Sequence, residues 1–216
     1  MELLASLADF VLHVDRHLAE IVGQYGMWTY LLLFCVIFLE TGFVVTPFLP
    51  GDSLLFAAGA LCGAQIMDPW LINGLLMAAA IAGDNTNYWI GRLVGPRVFE
   101  GENRFINRKY LDKAHAFYER HGGKTIVLAR FLPIIRTFAP FVAGIARMRY
   151  HHFLGCSVLG GTLWITLFTW TGYFFGNMPF VRKNFSVVIL AIIVISLLPG
   201  VIEYLRARRA AGRERA

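Results

Sequence analysis

Between Phe153 and Gly176 the chain carries no charged residue, and between Phe185 and Ile202 it again carries none. A helix crosses the hydrocarbon core of a bilayer with about 20 apolar residues. Both runs therefore read as transmembrane helices. Pro199-Gly200 is expected to kink or end the second near the interface. The composition agrees: 57% of residues are hydrophobic and 16% charged, which is too apolar for an ordinary soluble domain. A length of 216 residues fits one domain. The expectation is a single all-α polytopic membrane domain.

Other apolar regions are interrupted. Residues 21–39 carry no charge, but Glu40, Gly42, Pro47, Pro50, Gly51 and Asp52 follow before residues 53–67 become apolar again. Two prolines and two glycines rule out one continuous helix there. Residues 125–146 are apolar except for Arg130 and Arg136, and are broken by Pro133, Pro140 and Gly144. The predicted segments are an amphipathic N-terminal helix over 1–26, a first re-entrant region over 27–67 and a membrane helix over 69–91. An amphipathic cytoplasmic segment (92–124) and a second re-entrant region (125–146) follow. Transmembrane helices at 153–176 and 185–205 and a basic tail at 206–216 complete the chain. The first helix has Leu3, Leu4, Leu7, Phe10, Val11, Val14 and Leu18 on one side. Its acids, Glu2, Asp9, Asp15 and Glu20, do not give the basic-then-apolar order of a cleavable signal.

Charge supports the second dip independently. Basic loops stay cytoplasmic. The basic clusters are the block at 92–124, the turn with Arg147 and Arg149, and the tail with Arg206, Arg208, Arg209, Arg213 and Arg215. The two uncharged helices put the turn and the tail on one side. The block shares that side only if residues 125–146 enter the membrane and return. Arg182 and Lys183 then fall outside, against the trend. The halves are weakly alike: an apolar arm, a broken charged turn, a second arm and a longer helix. The first turn is acidic and the second basic. Paired broken segments in corresponding halves mark transporter binding sites.

Three constellations could carry chemistry. Glu40 and Asp52 flank the first turn. A buried carboxyl resists ionisation, so an acid placed there can take up and release a proton. In a structural reading, Asp52 caps the helix starting at Ser53 and Glu40 pairs with an arginine. Arg130 and Arg136 straddle Pro133 and offer planar forks to phosphate or carboxylate. Their structural alternative is an ion pair with Glu40 or Asp52, and an arginine could exchange a carboxylate for a phosphate during transport. Asp84, Tyr88 and Arg92, spaced i, i+4, i+8, share a helix face and are additional candidates beside an interfacial helix end. Pro47, Pro50, Gly51, Pro133, Pro140 and Gly144 would support the turns. Gly59–Gly63 and Gly172–Gly176 are GxxxG pairs, read as close packing. Cys35, Cys62 and Cys156 fit no zinc or disulfide spacing and read as small buried hydrophobes.

Several runs resemble the signatures of the bacterial DedA family. They are Glu40-Thr-Gly with Thr46-Pro-Phe-Leu-Pro-Gly-Asp-Ser-Leu-Leu55 and Ala58-Gly-Ala60; Gly83-Asp84 with Tyr88 and Ile90-Gly-Arg92; and Ala129-Arg-Phe-Leu-Pro133 with Arg136-Thr-Phe-Ala-Pro140 and Val142-Ala-Gly144. Order and spacing match over about residues 8–210, and together the motifs are specific. The resemblance implies a bacterial inner-membrane protein with two opposed re-entrant hairpins and a VTT (SNARE-associated Golgi) domain, shared with eukaryotic lipid scramblases. It implies links to recycling of undecaprenyl phosphate and to membrane homeostasis dependent on the proton motive force. It places activity on Glu40, Asp52, Arg130 and Arg136.

The functional expectation is a lipid transporter with membrane lipids, a polyprenyl phosphate and protons as partners. Arg130 and Arg136 would hold the phosphate; Glu40 and Asp52 would pair with them when empty. The rivals are a non-selective scramblase, a proton-coupled antiporter, a lipid phosphatase and an assembly factor without transport. No cofactor, metal, nucleic acid or enzymatic activity is expected; a homo-oligomer is allowed. The multi-pass chain would keep its basic tail cytoplasmic.

Overall fold

The computed structural model describes residues 26–43, 51–100, 123–185, 187–192 and 194. Pro47, Pro50, the N-terminal amphipathic helix, most of 92–124 and the basic tail lie outside them. All regular structure among the described residues is helical. The helices are α1 (Met27–Gly42), α2 (Gly51–Gly63), α3 (Pro69–Glu100), α4 (Lys124–Ala129), α5 (Pro133–Ile145), α6 (Tyr150–Phe175) and α7 (Pro179–Lys183). Residues 185, 187–192 and 194 are helical as well.

Two long helices frame the molecule. At 1.5 Å per residue, α3 with 32 residues and α6 with 26 extend about 48 and 39 Å, against about 30 Å of hydrocarbon. Among the described residues α6 is the one helix long and apolar enough to cross a membrane. α3 continues to Glu100, past the polar boundary at Arg92 read from charge.

Two pairs of shorter helices enter from opposite ends. Near the start of α1 the Asp68 amide donates to Tyr30 Oη at 3.2 Å. Near the end of α2 the Asn177 side-chain amide donates to the Ala60 carbonyl at 2.8 Å. The α1–α2 pair is thus tethered beside the start of α3 and the end of α6. The α4–α5 pair starts at the other end, where Gly123 lies against Cys156 and His152 of α6. It returns there too, with Gly144 against the Tyr88 and Arg92 backbone of α3.

The second arm of each pair packs on the long helix of the other half: α2 on α6 and α5 on α3. Glycine makes both approaches possible. A Cβ at Gly59 would strike the Thr169 carbonyl, one at Gly172 the Phe56 carbonyl, and one at Gly176 Ala60. The two GxxxG pairs therefore face each other across α2 and α6. Gly91 and Gly144 play the same part between α3 and α5. In the middle, α2 is buried from Gly51 to Cys62, as expected of a helix apolar all round.

Burial divides the interior. Leu33, Ile37, Leu55, Ile72, Leu76, Ile165 and Ile189 belong to one apolar cluster; Tyr88, Ile126, Ala143 and Phe153 belong to a second. Along α3, Ile72, Leu76 and Ala80 fall in the first and Tyr88 in the second, with Asp84 between. Of the cysteines Cys62 is buried and Cys156 half-buried, but Cys35 is exposed. Only one stripe of α1 (Thr29, Leu33, Ile37, Glu40, Thr41) turns inward, and Cys35 lies on the outer face with Leu31, Leu32 and Leu39.

Candidate functional site

A charged centre occupies the meeting point of the helix pairs. Glu40 is the third-last residue of α1 and Asp52 is in the first turn of α2. Their carboxylates converge on one guanidinium, that of Arg136. The Glu40 carboxylate lies on the Gly51 backbone, where any Cβ would overlap it. From the other side, Arg130 lies in the break after α4 and Arg136 in the first turn of α5. Pro133 opens α5, and Pro140 sits inside it. Pro140 has no N–H to offer the Arg136 carbonyl one turn earlier.

The pairing is specific. Arg136 Nη1 donates to Asp52 Oδ1 at 2.7 Å, and its Nη2 donates to Glu40 Oε1. Arg130 Nη1 donates to Asp84 Oδ1 at 2.5 Å. Ser157 of α6 donates to Asp84 Oδ2 at 2.6 Å. The relative exposures of Glu40, Asp84, Arg130 and Arg136 are 0%, 1%, 2% and 4%. Three carboxylates and two guanidiniums therefore share a nearly dry interior.

Trp164 ties the two groups together. Its Nε1 donates to Asp52 Oδ1 at 2.9 Å. Its ring lies under both guanidiniums, with Cζ of Arg136 at 4.4 Å and Cζ of Arg130 at 5.5 Å from the ring centre. Cation–π attraction is strongest when desolvated, as here. Asn87 braces the frame: its side-chain amide donates to the Thr41 carbonyl at 3.1 Å and the Thr137 carbonyl at 2.7 Å. One side chain of α3 thus fixes both α1 and α5.

The shared face of Asp84, Tyr88 and Arg92 serves two places. Asp84 belongs to the centre. Tyr88 donates instead to the Met148 carbonyl at 2.5 Å, and Arg92 Nη1 donates to Tyr88 Oη at 2.8 Å. That string lies at the α5–α6 turn. Gly144 serves the α3–α5 contact rather than the charged centre. Trp164, Ser157, Asn87 and Gly161 are absent from the sequence candidates. Trp164, Ser157 and Gly161 look like ordinary residues of an uncharged helix, and Asn87 like part of the polar run around Asp84; only their neighbours across the bundle single them out. Among the described residues no cluster of His, Cys, Asp or Glu could hold a metal ion.

Some of the buried polar atoms make no hydrogen bond with the protein: Glu40 Oε2, Ser53 Oγ, Arg130 Nε and Nη2, and Arg136 Nε. The centre therefore holds unused hydrogen-bonding capacity: donors on both guanidiniums and an acceptor on Glu40.

Fold and site define an all-helical membrane protein built around a buried ionic centre. Residues 49–174 match the VTT domain model. The chain is 56% identical over 216 residues to protein DedA of Escherichia coli K12, covering 99% of each chain. It is 44% identical over 192 residues to an uncharacterised membrane protein of Mycobacterium tuberculosis, covering 87% of this chain and 84% of the relative. With inner membrane protein YghB of E. coli K12 it shares 35% identity over 193 residues, 88% of this chain and 85% of the relative. The chain belongs to the DedA family of VTT-domain membrane proteins. No solved structure matches it.

Proposed function

We propose that the chain is a lipid transporter that carries a phosphate-bearing lipid, of the polyprenyl phosphate class exemplified by undecaprenyl phosphate, across the inner membrane in exchange with protons. The observation that carries this reading is the buried centre with unsatisfied guanidinium N–H groups. Charges inside a membrane are costly and mark ion or substrate paths. A set of ion pairs serving the fold alone would use those donors, because a buried unpaired one costs about 1–3 kcal/mol. A phosphate would satisfy them.

In this reading the two helix pairs are re-entrant hairpins that meet at mid-membrane from opposite faces. The end bearing Arg92, Lys124, Arg147 and Arg149 faces the cytoplasm with the basic tail, following the positive-inside trend. The lipid tail stays in the bilayer while the head group crosses at the centre. Incoming phosphate competes with carboxylates for the guanidiniums, and a released carboxylate is stranded in low dielectric unless it takes a proton. Glu40, with one oxygen already unpartnered, is the first acid to do so.

The test uses liposomes holding the purified protein and fluorescent undecaprenyl phosphate. Loss of outer-leaflet signal to a membrane-impermeant quencher is followed with and without a pH gradient. Wild type is expected to flip the lipid faster under a gradient; Glu40→Gln and Arg136→Ala are expected to lose this. Gradient-insensitive flipping would assign a scramblase. Absence of flipping by folded wild type would reject this lipid as the substrate, leaving another substrate or a structural role.

A further inference from the structure

The two arginines of the centre are used differently. Arg136 donates both terminal nitrogens, one to Asp52 and one to Glu40, and keeps only Nε unpartnered. Arg130 donates Nη1 alone, to Asp84. Its Nε and Nη2 make no hydrogen bond with the protein. Those two nitrogens form one side edge of the guanidinium plane, with parallel N–H bonds that match two oxygens of one oxyanion. The edge is buried, since the Arg130 side chain is 2% exposed.

The hydrogen-bonding around each arginine differs in the same sense. Arg136 has a carboxylate on each terminal nitrogen. Arg130 is hydrogen-bonded to Asp84 alone, whose second oxygen is held by Ser157. Trp164 lies against its guanidinium. Gly161 of α6 lets the edge lie where it does. A Cβ there would stand 2.9 Å from Arg130 Nη2 and 3.6 Å from Ile81 Cγ1. The atom it would press is the end of a flexible side chain, so a methyl group would displace the guanidinium rather than the helices.

We infer that the arginines divide the labour: the Nε–Nη2 edge of Arg130, laid against Gly161 and held by Asp84, is the primary oxyanion seat, while Arg136 is the internal counter-ion of Glu40 and Asp52. This deepens the transport reading, whose substrate carries a phosphate. Asp84, Ser157 and Gly161 are positioning residues. Arg136 joins the substrate only after its carboxylates are neutralised.

The experiment measures binding, not transport. Purified protein in detergent is titrated calorimetrically with inorganic phosphate and, separately, with octyl phosphate; thermal unfolding of the same samples is recorded. Arg130→Lys keeps the charge but loses the fork, and is expected to weaken binding about tenfold or more with little change in unfolding temperature. Gly161→Ala is expected to weaken binding in the same direction while the fold stands. Arg136→Lys is expected to lower the unfolding temperature most, and to weaken binding less than Arg130→Lys does.

Wild-type affinity in Arg130→Lys and Gly161→Ala would overturn the seat, as would loss of binding by folded Arg136→Lys equal to that of Arg130→Lys. Binding of octyl phosphate alone would support the seat and assign it to a lipid head group. Equal binding of inorganic phosphate would support it for phosphate as such. If wild type bound neither probe, the seat would be rejected; flipping of undecaprenyl phosphate by the same preparation would leave the transport reading standing.

Discussion

At the scale of residues, the centre concentrates charge where it costs most, so its variants should separate cleanly. Arg136→Ala strands two buried carboxylates and is expected to destabilise by about 3–5 kcal/mol, read as early loss of helicity on heating in detergent. Trp164→Phe keeps an aromatic face under the guanidiniums and removes one donor from Asp52, which still has Arg136. A loss of about 1 kcal/mol is expected there, against about 3–5 for Trp164→Ala, which also opens a cavity. Equal losses for the two Trp164 variants would show that packing plays no part. The charged members were legible in the sequence because Glu40, Asp52, Arg130 and Arg136 interrupt apolar runs beside proline or glycine. Their pairing was not. Residues 96 and 84 positions apart along the chain meet Arg136, and no local period encodes that. Asp84 carries a weaker signal in the sequence, one acid on a polar helix end, and only Arg130 opposite it in the fold shows its part.

At the scale of elements, α2 and α5 end in the same way. The Gln65 amide donates to the Cys62 carbonyl and the Ile66 amide to the Leu61 carbonyl; the Arg147 amide donates to Gly144 and the Met148 amide to Ala143. Both are Schellman closures, in which the residue after the cap is left-handed and usually glycine. Here it is Gln65 with φ of 61° and Arg147 with φ of 53°. A side chain in that region costs about 1–2 kcal/mol. Glycine relieves this but loses more chain entropy on folding. Gln65→Gly and Arg147→Gly are thus each expected to leave stability unchanged or raise it by up to about 1 kcal/mol, measured as unfolding temperature. A marked drop in either would mean that its side chain holds the fold. Opposite behaviour is expected of Gly59→Val and Gly172→Val, which place carbons against backbone across the α2–α6 contact and should block assembly. The GxxxG spacing announced a close contact in the sequence. That the two motifs are each other's partners depends on the crossing of halves, which sequence spacing does not carry.

For the molecule as a whole, matching Schellman turns, matching glycine contacts and exchanged second arms describe two related halves running in opposite directions. The sequence showed the relation only as a shared order of arms and breaks, with opposite charges at the breaks. The exchange explains why each half is incomplete alone: α2 and α5 bury their close-packing faces on the other half, and the ionic centre takes its acids from the first half and its arginines from the second. The opposed ends give a direct test of membrane orientation. Gln65 lies at the end shared by the start of α3, whereas Arg147 lies at the end shared by the start of α6, and both are exposed. In a background with Cys35, Cys62 and Cys156 replaced by alanine, a single cysteine is placed at Gln65 or at Arg147. A membrane-impermeant maleimide added to intact cells is expected to label Gln65→Cys, and Arg147→Cys only after the membrane is opened. Labelling of both from outside would contradict the opposed-hairpin arrangement, because one hairpin would then have crossed instead of returning. Reversal of the two would keep the hairpins and invert the chain, overriding the four basic residues at the Arg147 end in favour of Arg182 and Lys183 at the other.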